Sequence, residues 1–172
     1  MTYSETSARI ETLFKELTCL QLFKSWNLFA TRMFYFAAPG FQNQDDDGDC
    51  RLTLECPWRI EYQDLVLVGS EDYGIRSEDN SDPAWNPTDM QWGHLQDQRL
   101  VELLGTERSG AIFNTGSNLI VESVAADNLG GFRLHLSGGY TLSVFPAGSV
   151  DLQWLLSRKA GGNLALKGGD LS

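Results

Sequence analysis

The sequence has few cysteines, few prolines and no long apolar run. It contains 3 cysteines and 5 prolines in 172 residues. No apolar stretch reaches the roughly eighteen residues that a membrane-spanning helix needs. Residues 1–18 are polar, acidic at their start, and lack the basic-then-apolar order of a secretory signal. We therefore expect a cytoplasmic protein that does not enter a membrane.

The three cysteines are Cys19, Cys50 and Cys56. Their odd number and the missing secretory signal favour reduced thiols over a disulfide framework. The gap between Cys50 and Cys56 is not a zinc spacing, and the histidines lie far along the chain. Cys19 and Cys56 fall on apolar strand patterns, which favours small core side chains. The sequence predicts no metal and no cofactor.

Positive charge is scarce in one part of the chain. Residues 45–97 hold 14 acidic and 3 basic side chains, whereas the rest of the chain holds 9 acidic and 10 basic ones. The net charge of -10 therefore comes from this segment. Nucleic-acid binding is disfavoured, because phosphate contacts need a basic footprint. The acidity is consistent with a basic protein partner, with a metal ion or with a role in solubility.

Motifs for catalysis are also scarce. His94 and His135 are too few and too separate to indicate a metal site or a catalytic triad. No serine stands in a G-x-S-x-G setting, and no glycine run has the phosphate-loop spacing. Residues 43–49, NQDDDGD, resemble the start of a calcium loop, but Leu54 stands where a bidentate glutamate should be. A solvated loop is the favoured interpretation.

Alternation of apolar and polar residues is the main structural signal. Residues 118–146 alternate on both sides of a glycine-rich turn, which predicts an antiparallel meander. Residues 7–17 and 95–104 each show the apolar stripe of an amphipathic helix. The GGDLS tail is expected to be frayed. The sequence thus predicts one α+β domain over 1–172, mainly antiparallel meanders with two short amphipathic helices. Further strands are predicted at 19–25, 30–37, 51–56, 58–62, 65–69, 152–156 and 164–166.

An internal similarity suggests a duplication. Residues 19–36 align without a gap on residues 120–137, and Asn27, Leu28 and Arg32 meet identical residues. Each segment follows a predicted helix and precedes a loop, a strand, a proline and a tryptophan. We infer a degenerate duplication whose halves are related by a pseudo-twofold axis. The pseudo-repeats are residues 5–69 and 95–167. The acidic loop that joins them is residues 70–93.

The connection 70–93 is long for a compact domain, and it combines acidic with aromatic side chains. Connections of this kind tend to be functional or disordered. Its aromatic residues indicate that it folds back onto the body of the protein. Arginines near it either pair with the acidic excess or form an anion clamp. The candidate binding residues are Arg59, Asp72, Trp85, Asp89, Trp92, Asp97 and Arg99.

Two functions are consistent with this loop. The favoured one is a non-enzymatic interaction or accessory protein whose acidic-aromatic loop docks a partner, such as a basic protein, on a flat surface. The alternative is a small-ligand-binding or hydrolytic domain, with a concave pocket under the loop where a tryptophan and a carboxylate converge. The sequence leaves both a monomer and a homodimer open.

Residues 50–156 also carry several short motifs in a characteristic order. A strand ending in CPWR is followed by GSED, by LQDQRL, and by the meander FRLHLSGGYTLSVFP. In this order they resemble a family of small, uncharacterised bacterial proteins with the pattern CPWR, GS-x-D, LRL-x-LS-x-G and VFP. Leu155 stands where an arginine is usual in that family. The resemblance implies one intact cytosolic domain and no particular chemistry.

Overall fold

The computed structural model describes residues 3–88 and 93–172. In these ranges the chain forms two α-helices and 13 β-strands, and all strand pairs are antiparallel, which confirms the predicted α+β fold. The helices are α1 (Tyr3–Phe14), continued by a 3₁₀ turn at Lys15–Leu17, and α2 (Leu95–Leu104). The strands are β1 (Gln21–Leu28), β2 (Thr31–Ala37), β3 (Cys50–Leu54), β4 (Trp58–Tyr62), β5 (Leu65–Gly69), β6 (Gly105–Arg108), β7 (Ala111–Asn114), β8 (Val121–Ala126), β9 (Phe132–Leu136), β10 (Tyr140–Val144), β11 (Leu152–Arg158), β12 (Asn163–Lys167) and β13 (Asp170–Leu171).

The strands form two sheets. The first has eight strands in the order β13-β12-β11-β3-β2-β1-β7-β6, and the second has five in the order β5-β4-β10-β9-β8. Residues 107–116 lie mostly in the β6–β7 hairpin. Its turn residues Ser109 and Gly110 both have positive φ. Such a turn matches the right-handed twist of paired strands.

Alternation predicts burial well only where one face of a strand is wet. In β9, Phe132, Leu134 and Leu136 are buried and Arg133 is exposed. In β2, by contrast, six of the seven residues are buried. Phe41, from the loop that follows β2, packs against a second apolar cluster on the outer face of the first sheet. This strand is therefore covered on both faces.

One buried cluster joins the two sheets and both helices. The ring centre of Phe14 on α1 lies 4.6 Å from that of Phe132 and 5.4 Å from that of Trp154. Leu100 and Leu104 bring α2 into the same cluster. The predicted apolar stripes of both helices are confirmed. Burial of this apolar surface is what holds the two sheets against each other.

The two sheets are assembled from exchanged parts. The meander β1-β2-β3 lies in the first sheet, while the next hairpin, β4-β5, lies in the second. The meander β8-β9-β10 lies in the second sheet, while the next hairpin, β11-β12, lies in the first. The strands β1 to β5 of the first half correspond in order to β8 to β12 of the second half. When each strand is replaced by its counterpart, the order β12-β11-β3-β2-β1 in the first sheet becomes β5-β4-β10-β9-β8, which is the order of the second sheet. A duplication would produce this relation, although the origin of the chain stays a hypothesis.

Strand pairing gives a different residue correspondence from the ungapped alignment. Trp58 and Trp154 correspond, because Trp58 pairs with Val144 at the end of β10 and Trp154 pairs with Leu54 at the end of β3. Asn27, however, lies within β1, whereas Asn128 lies in the loop between β8 and β9. That loop is longer than the turn between β1 and β2. The ungapped offset of 101 is therefore wrong within the hairpins.

Two expectations about short segments are wrong. Cys19 is exposed, with positive φ in the turn before β1, and does not belong to the core. The C-terminal tail is not frayed, because β13 pairs with β12 and Leu171 is buried. In both cases a local pattern could not show which tertiary contacts the segment makes or lacks.

We expect one of the three thiols to react with a maleimide in the folded protein at neutral pH, and all three after denaturation. Burial raises the pKa of Cys50 to about 11 and that of Cys56 to about 12, so their reactive thiolates are scarce. Cys19 is exposed. Mass spectrometry counts the adducts before and after adding guanidinium. A folded protein with two or three adducts would contradict the burial of Cys50 and Cys56.

Candidate functional site

The described part of the connection between β5 and α2, residues 70–88 and 93–94, folds back along α2, as its aromatic residues indicated. The backbone N–H of Ser77 donates to the carbonyl of Gly93 at 2.7 Å, and that of Leu95 donates to the carbonyl of Ile75 at 2.7 Å. The N–H of Glu78 donates to the side-chain oxygen of Gln98 at 2.9 Å. The described part of the acidic loop is therefore attached to the N-terminal half of α2.

His94, immediately before α2, lies at the centre of this attachment and is only 1% exposed. Tyr73 stacks on its imidazole with ring centroids 4.4 Å apart and an interplanar angle of 14°. Trp85 approaches at 5.5 Å with an angle of 69°. The N–H of Gly74 donates to Nδ1 of His94 at 3.1 Å, which puts the proton of the neutral ring on Nε2. Aromatic contacts and a hydrogen bond together hold the loop on the helix.

A buried arginine lies next to the start of α2. Arg32 on β2 is 1% exposed, and its Nη2 donates to Oδ1 of Asp97 at 2.9 Å. Its Nε donates to Oε1 of Gln96 at 3.0 Å, and the amide of Gln96 donates to the carbonyl of Gly69 at 2.9 Å. Because Gly69 ends β5, this network connects the first sheet, the second sheet and α2.

Burial shifts the proton affinity of two groups here. Loss of hydration lowers the pKa of Arg32, and the carboxylate of Asp97 opposes that shift. Burial raises the pKa of Tyr73, and the charge of Asp97 acts in the same direction. A buried charge without a partner costs several kcal/mol, on the order of 3–5. Asp97 is therefore the counter-ion that makes the buried guanidinium tolerable.

The corresponding place in the second sheet is apolar. Phe132 is the first residue of β9 and pairs with Val144 at the end of β10. Arg32 is the second residue of β2 and pairs with Leu54 at the end of β3. The two residues therefore occupy corresponding positions in the two meanders. The ring of Phe132 packs edge-to-face on Trp154 at 5.5 Å. One half thus has an aromatic cluster where the other has a buried ion pair. Since local departures from apolar packing concentrate at functional sites, the half with the ion pair is the better place to look for function.

An open cleft of about 550 Å³ lies beside this network. The segment 77–82, helix α2 and strand β6 bound it. Of its carboxylates, that of Asp97 is neutralised by Arg32, and that of Glu102 lies 3.4 Å from the guanidinium of Arg99. No lysine or arginine is among the described residues that line the cleft, which is therefore a region of negative charge. Its acidic lining residues are Asp79, Asp82, Asp97, Glu102 and Glu107.

The structure brings together only some of the predicted binding residues. Trp85 contacts His94, and Asp97 joins the buried network and lines the cleft. Arg99 lies on the same helix and pairs with Glu78 at 3.7 Å as well as with Glu102. Asp89 and Trp92 lie outside the described residues.

Two predicted residues have structural contacts elsewhere. The carboxylate of Asp72 accepts the N–H of Gly69 at 2.8 Å and so closes the turn after β5. The guanidinium of Arg59 lies 2.7 Å from Glu61 and 4.8 Å from the ring centre of Phe145. Arg59 does not line the cleft. Its ion pair with Glu61 agrees with pairing to an acidic side chain, which is the simpler of the two roles predicted for the arginines, and not with an anion clamp.

Arg32 and Gln96 have no role in the sequence-based prediction of the site. The strand TRMFYFA contains one charged residue within an apolar run. A strand that is buried on both faces must satisfy such a residue internally, so Arg32 could have been suspected of having a buried partner. Nothing local identifies that partner, because Asp97 and Gln96 come from a helix far along the chain.

The calcium-loop-like segment 43–49 surrounds an ammonium group. Nζ of Lys24 donates to the carbonyl of Asp46 at 2.8 Å and lies 3.4 Å from the carboxylate of Asp47. Nζ of Lys159 lies 3.1 Å from the carboxylate of Asp46. Two lysines thus supply positive charge beside these carboxylates. Within the described ranges, no group of three or more His, Cys, Asp or Glu side chains is placed to hold a metal ion.

Comparison with known protein families, with curated proteins and with solved structures finds no match. The resemblance to the small bacterial proteins with the CPWR pattern therefore stays a prediction. Neither described helix has the length and apolar character needed to cross a membrane.

Proposed function

We propose that the chain is a non-enzymatic binding protein whose acidic cleft receives a lysine or arginine side chain of a basic protein partner. The observation that carries this proposal is the lining, which contains five acidic residues and no lysine or arginine among the described residues. Two of these carboxylates are paired with arginines outside the lining, Asp97 with Arg32 and Glu102 with Arg99, so the negative charge that faces the cleft comes mainly from the other three. A concave acidic surface concentrates the negative potential and attracts cations more strongly than scattered surface charges do. The partner therefore meets a cleft and not the flat surface that the sequence suggested.

The wall of the cleft is organised before any partner binds. Tyr73 and Trp85 hold His94 from two sides, and Gln98 of α2 accepts a backbone hydrogen bond from the loop. Binding to a preformed surface avoids the entropy loss of ordering a loop. This supports a rigid docking site for a cationic side chain.

Hydrolysis has weaker support from the same residues. Acid–base chemistry needs carboxylates that are accessible to a substrate and not already committed. Asp97 is bound by Arg32, and Oδ1 of Asp82 accepts the N–H of Ala84 at 2.9 Å. Recognition of a positively charged side chain is therefore a better supported role for the cleft than hydrolysis.

Neutralising three carboxylates of the cleft should weaken the binding of a fluorescein-labelled, lysine- and arginine-rich decapeptide by about tenfold or more. A tenfold change corresponds to about 1.4 kcal/mol, which three lost charge contacts of about 0.5 kcal/mol each supply. Fluorescence anisotropy at low and high salt measures the dissociation constant. The cleft variant combines D79N, D82N and E102Q.

A matched control removes the same amount of charge from exposed positions outside the cleft. It should weaken binding by less than about threefold, because dispersed surface charges are screened by salt. Equal weakening by the two variants would show that only net charge matters and would reject the cleft as the site. The control variant combines E55Q, D64N and E71Q.

A further inference from the structure

A second open cleft, of about 630 Å³, lies where the two halves of the chain meet. It is bounded by the start of β1, by the loop 39–44 after β2, and by residues 113–118, which lead from β7 to β8. Close by, Gln21 forms a β-bridge with Ile120. We call this the junction cleft. Its volume falls in the range of roughly 300–1,000 Å³ that is typical of small-ligand sites.

Amide side chains fix the walls of the junction cleft. The amide of Gln21 donates to the carbonyl of Ser117 at 3.0 Å, and its oxygen lies 3.4 Å from the N–H of Gly40. Asn114 donates to the carbonyl of Leu22 at 2.7 Å and accepts the N–H of Ser117 at 2.9 Å. One wall is thus tied to the other through side chains of the cleft itself, which makes it a preformed site.

The lining of the junction cleft contains no charged side chain. At the chain average of 21% charged residues, a lining of 13 residues would contain two or three. Gln42 and Asn118 are exposed, and their side chains make no hydrogen bond with the described part of the chain. Each amide offers both donors and an acceptor. The cleft therefore favours a neutral ligand with many hydroxyl or amide groups.

Aromatic side chains form the apolar part of the same lining. Phe23, Phe41 and Phe113 come from β1, the loop after β2 and β7. The rings of Phe23 and Phe41 meet edge-to-face with centroids 5.0 Å apart. Phe41 is the half-buried member, so its ring is the most accessible to a ligand. The face of an aromatic ring is partially negative and therefore attracts the weakly positive C–H groups of a ligand.

We propose that the junction cleft binds a neutral carbohydrate. A pyranose ring has an apolar C–H face, which Phe41 can contact, and equatorial hydroxyls, which the amides of Gln42 and Asn118 can both donate to and accept from. The missing charges favour neutral sugars over uronic acids, sugar phosphates and amino sugars with a free ammonium group. This site is separate from the acidic cleft and does not depend on the function proposed for it.

The test uses saturation-transfer NMR and titration calorimetry on the whole chain with maltotriose, cellotriose and tri-N-acetylchitotriose. We expect at least one of the three to bind, and F41A to weaken that binding by about tenfold, or about 1.4 kcal/mol. N118D changes few atoms at an exposed position but introduces a charge, and it should weaken binding by about fivefold. This second variant keeps the test valid if F41A unfolds.

Control variants separate binding in the junction cleft from binding elsewhere on the protein surface. F29A removes a ring of the same type that is 54% exposed in the turn between β1 and β2, and it should leave sugar binding unchanged. The triple variant of the acidic cleft should also leave it unchanged. The proposal is overturned if none of the three sugars binds, if F41A and F29A act alike, or if a neutral Gly-Ser peptide binds and the sugars do not.

Discussion

D97N is expected to lower the free energy of unfolding by about 3–5 kcal/mol. The substitution keeps the size of the side chain but removes the counter-ion of Arg32, whose guanidinium is buried. Gln96 still accepts a hydrogen bond from Arg32, yet a neutral amide does not compensate the charge. Natural domains are stable by only about 5–15 kcal/mol, so this loss is a large part of the total. Urea unfolding followed by circular dichroism measures it.

A neighbouring ion pair provides the matched control. Arg99, also on α2, is partly exposed where it pairs with Glu78 and Glu102, so R99Q should cost less than about 1 kcal/mol. R32M combined with D97N should destabilise the protein by about 2 kcal/mol less than the sum of the two single changes, because no uncompensated charge is left. If D97N and R99Q lower the free energy of unfolding by similar amounts, the Arg32–Asp97 pair is not a buried ion pair that stabilises the contact between β2 and α2.

W154A should also destabilise the protein by about 3–5 kcal/mol. Trp154 is fully buried and contacts Phe14 and Phe132, so truncation leaves a large cavity between α1 and both sheets. Its Nε1 donates to the carbonyl of Gly130 at 2.8 Å, and that carbonyl loses its partner. The midpoint of thermal unfolding should fall by about 2–4 °C for each kcal/mol lost.

The corresponding tryptophan of the other half provides a sharper comparison. Trp58 is 2% exposed and packs edge-to-face on Phe34, but its buried Nε1 has no hydrogen-bond partner among the residues that the structure describes. W58F removes an unsatisfied donor, whereas W154F breaks a hydrogen bond. We expect W154F to be the more destabilising by about 1–2 kcal/mol. Equal effects would show that packing alone determines the contribution of these two side chains.

The strands were predictable from the sequence where one face meets water. In β9 and β3 the period-two pattern reports burial directly, and both helices show their apolar stripes. The pattern fails in β2 because both faces of that strand are covered. It also fails at Cys19 and at the C-terminal strand, whose exposure and pairing depend on distant parts of the chain.

The candidate site was predictable as a segment but not as a set of partners. The acidic-aromatic loop and Trp85 were identified because carboxylates and tryptophans in a long connection stand out in a sequence, and Asp97 was included at the start of the helix that follows it. Arg32 was not, since its partner Asp97 is 65 positions away and only the packing of α2 on the sheets brings them together. Arg59 was included for its closeness in sequence, yet it lies with Glu61 on the second sheet.

The sequence by itself determined the fold class, the position of both helices and the segment that carries the negative charge. These properties depend on composition and on contacts between residues a few positions apart, which the chain order records. Only the tertiary structure decided that the two meanders exchange their hairpins, that one half buries an ion pair where the other buries aromatic rings, and that five acidic residues from the loop, α2 and β6 line one cleft. Each of these depends on which distant segments share one hydrophobic core, and a linear pattern contains no record of that choice.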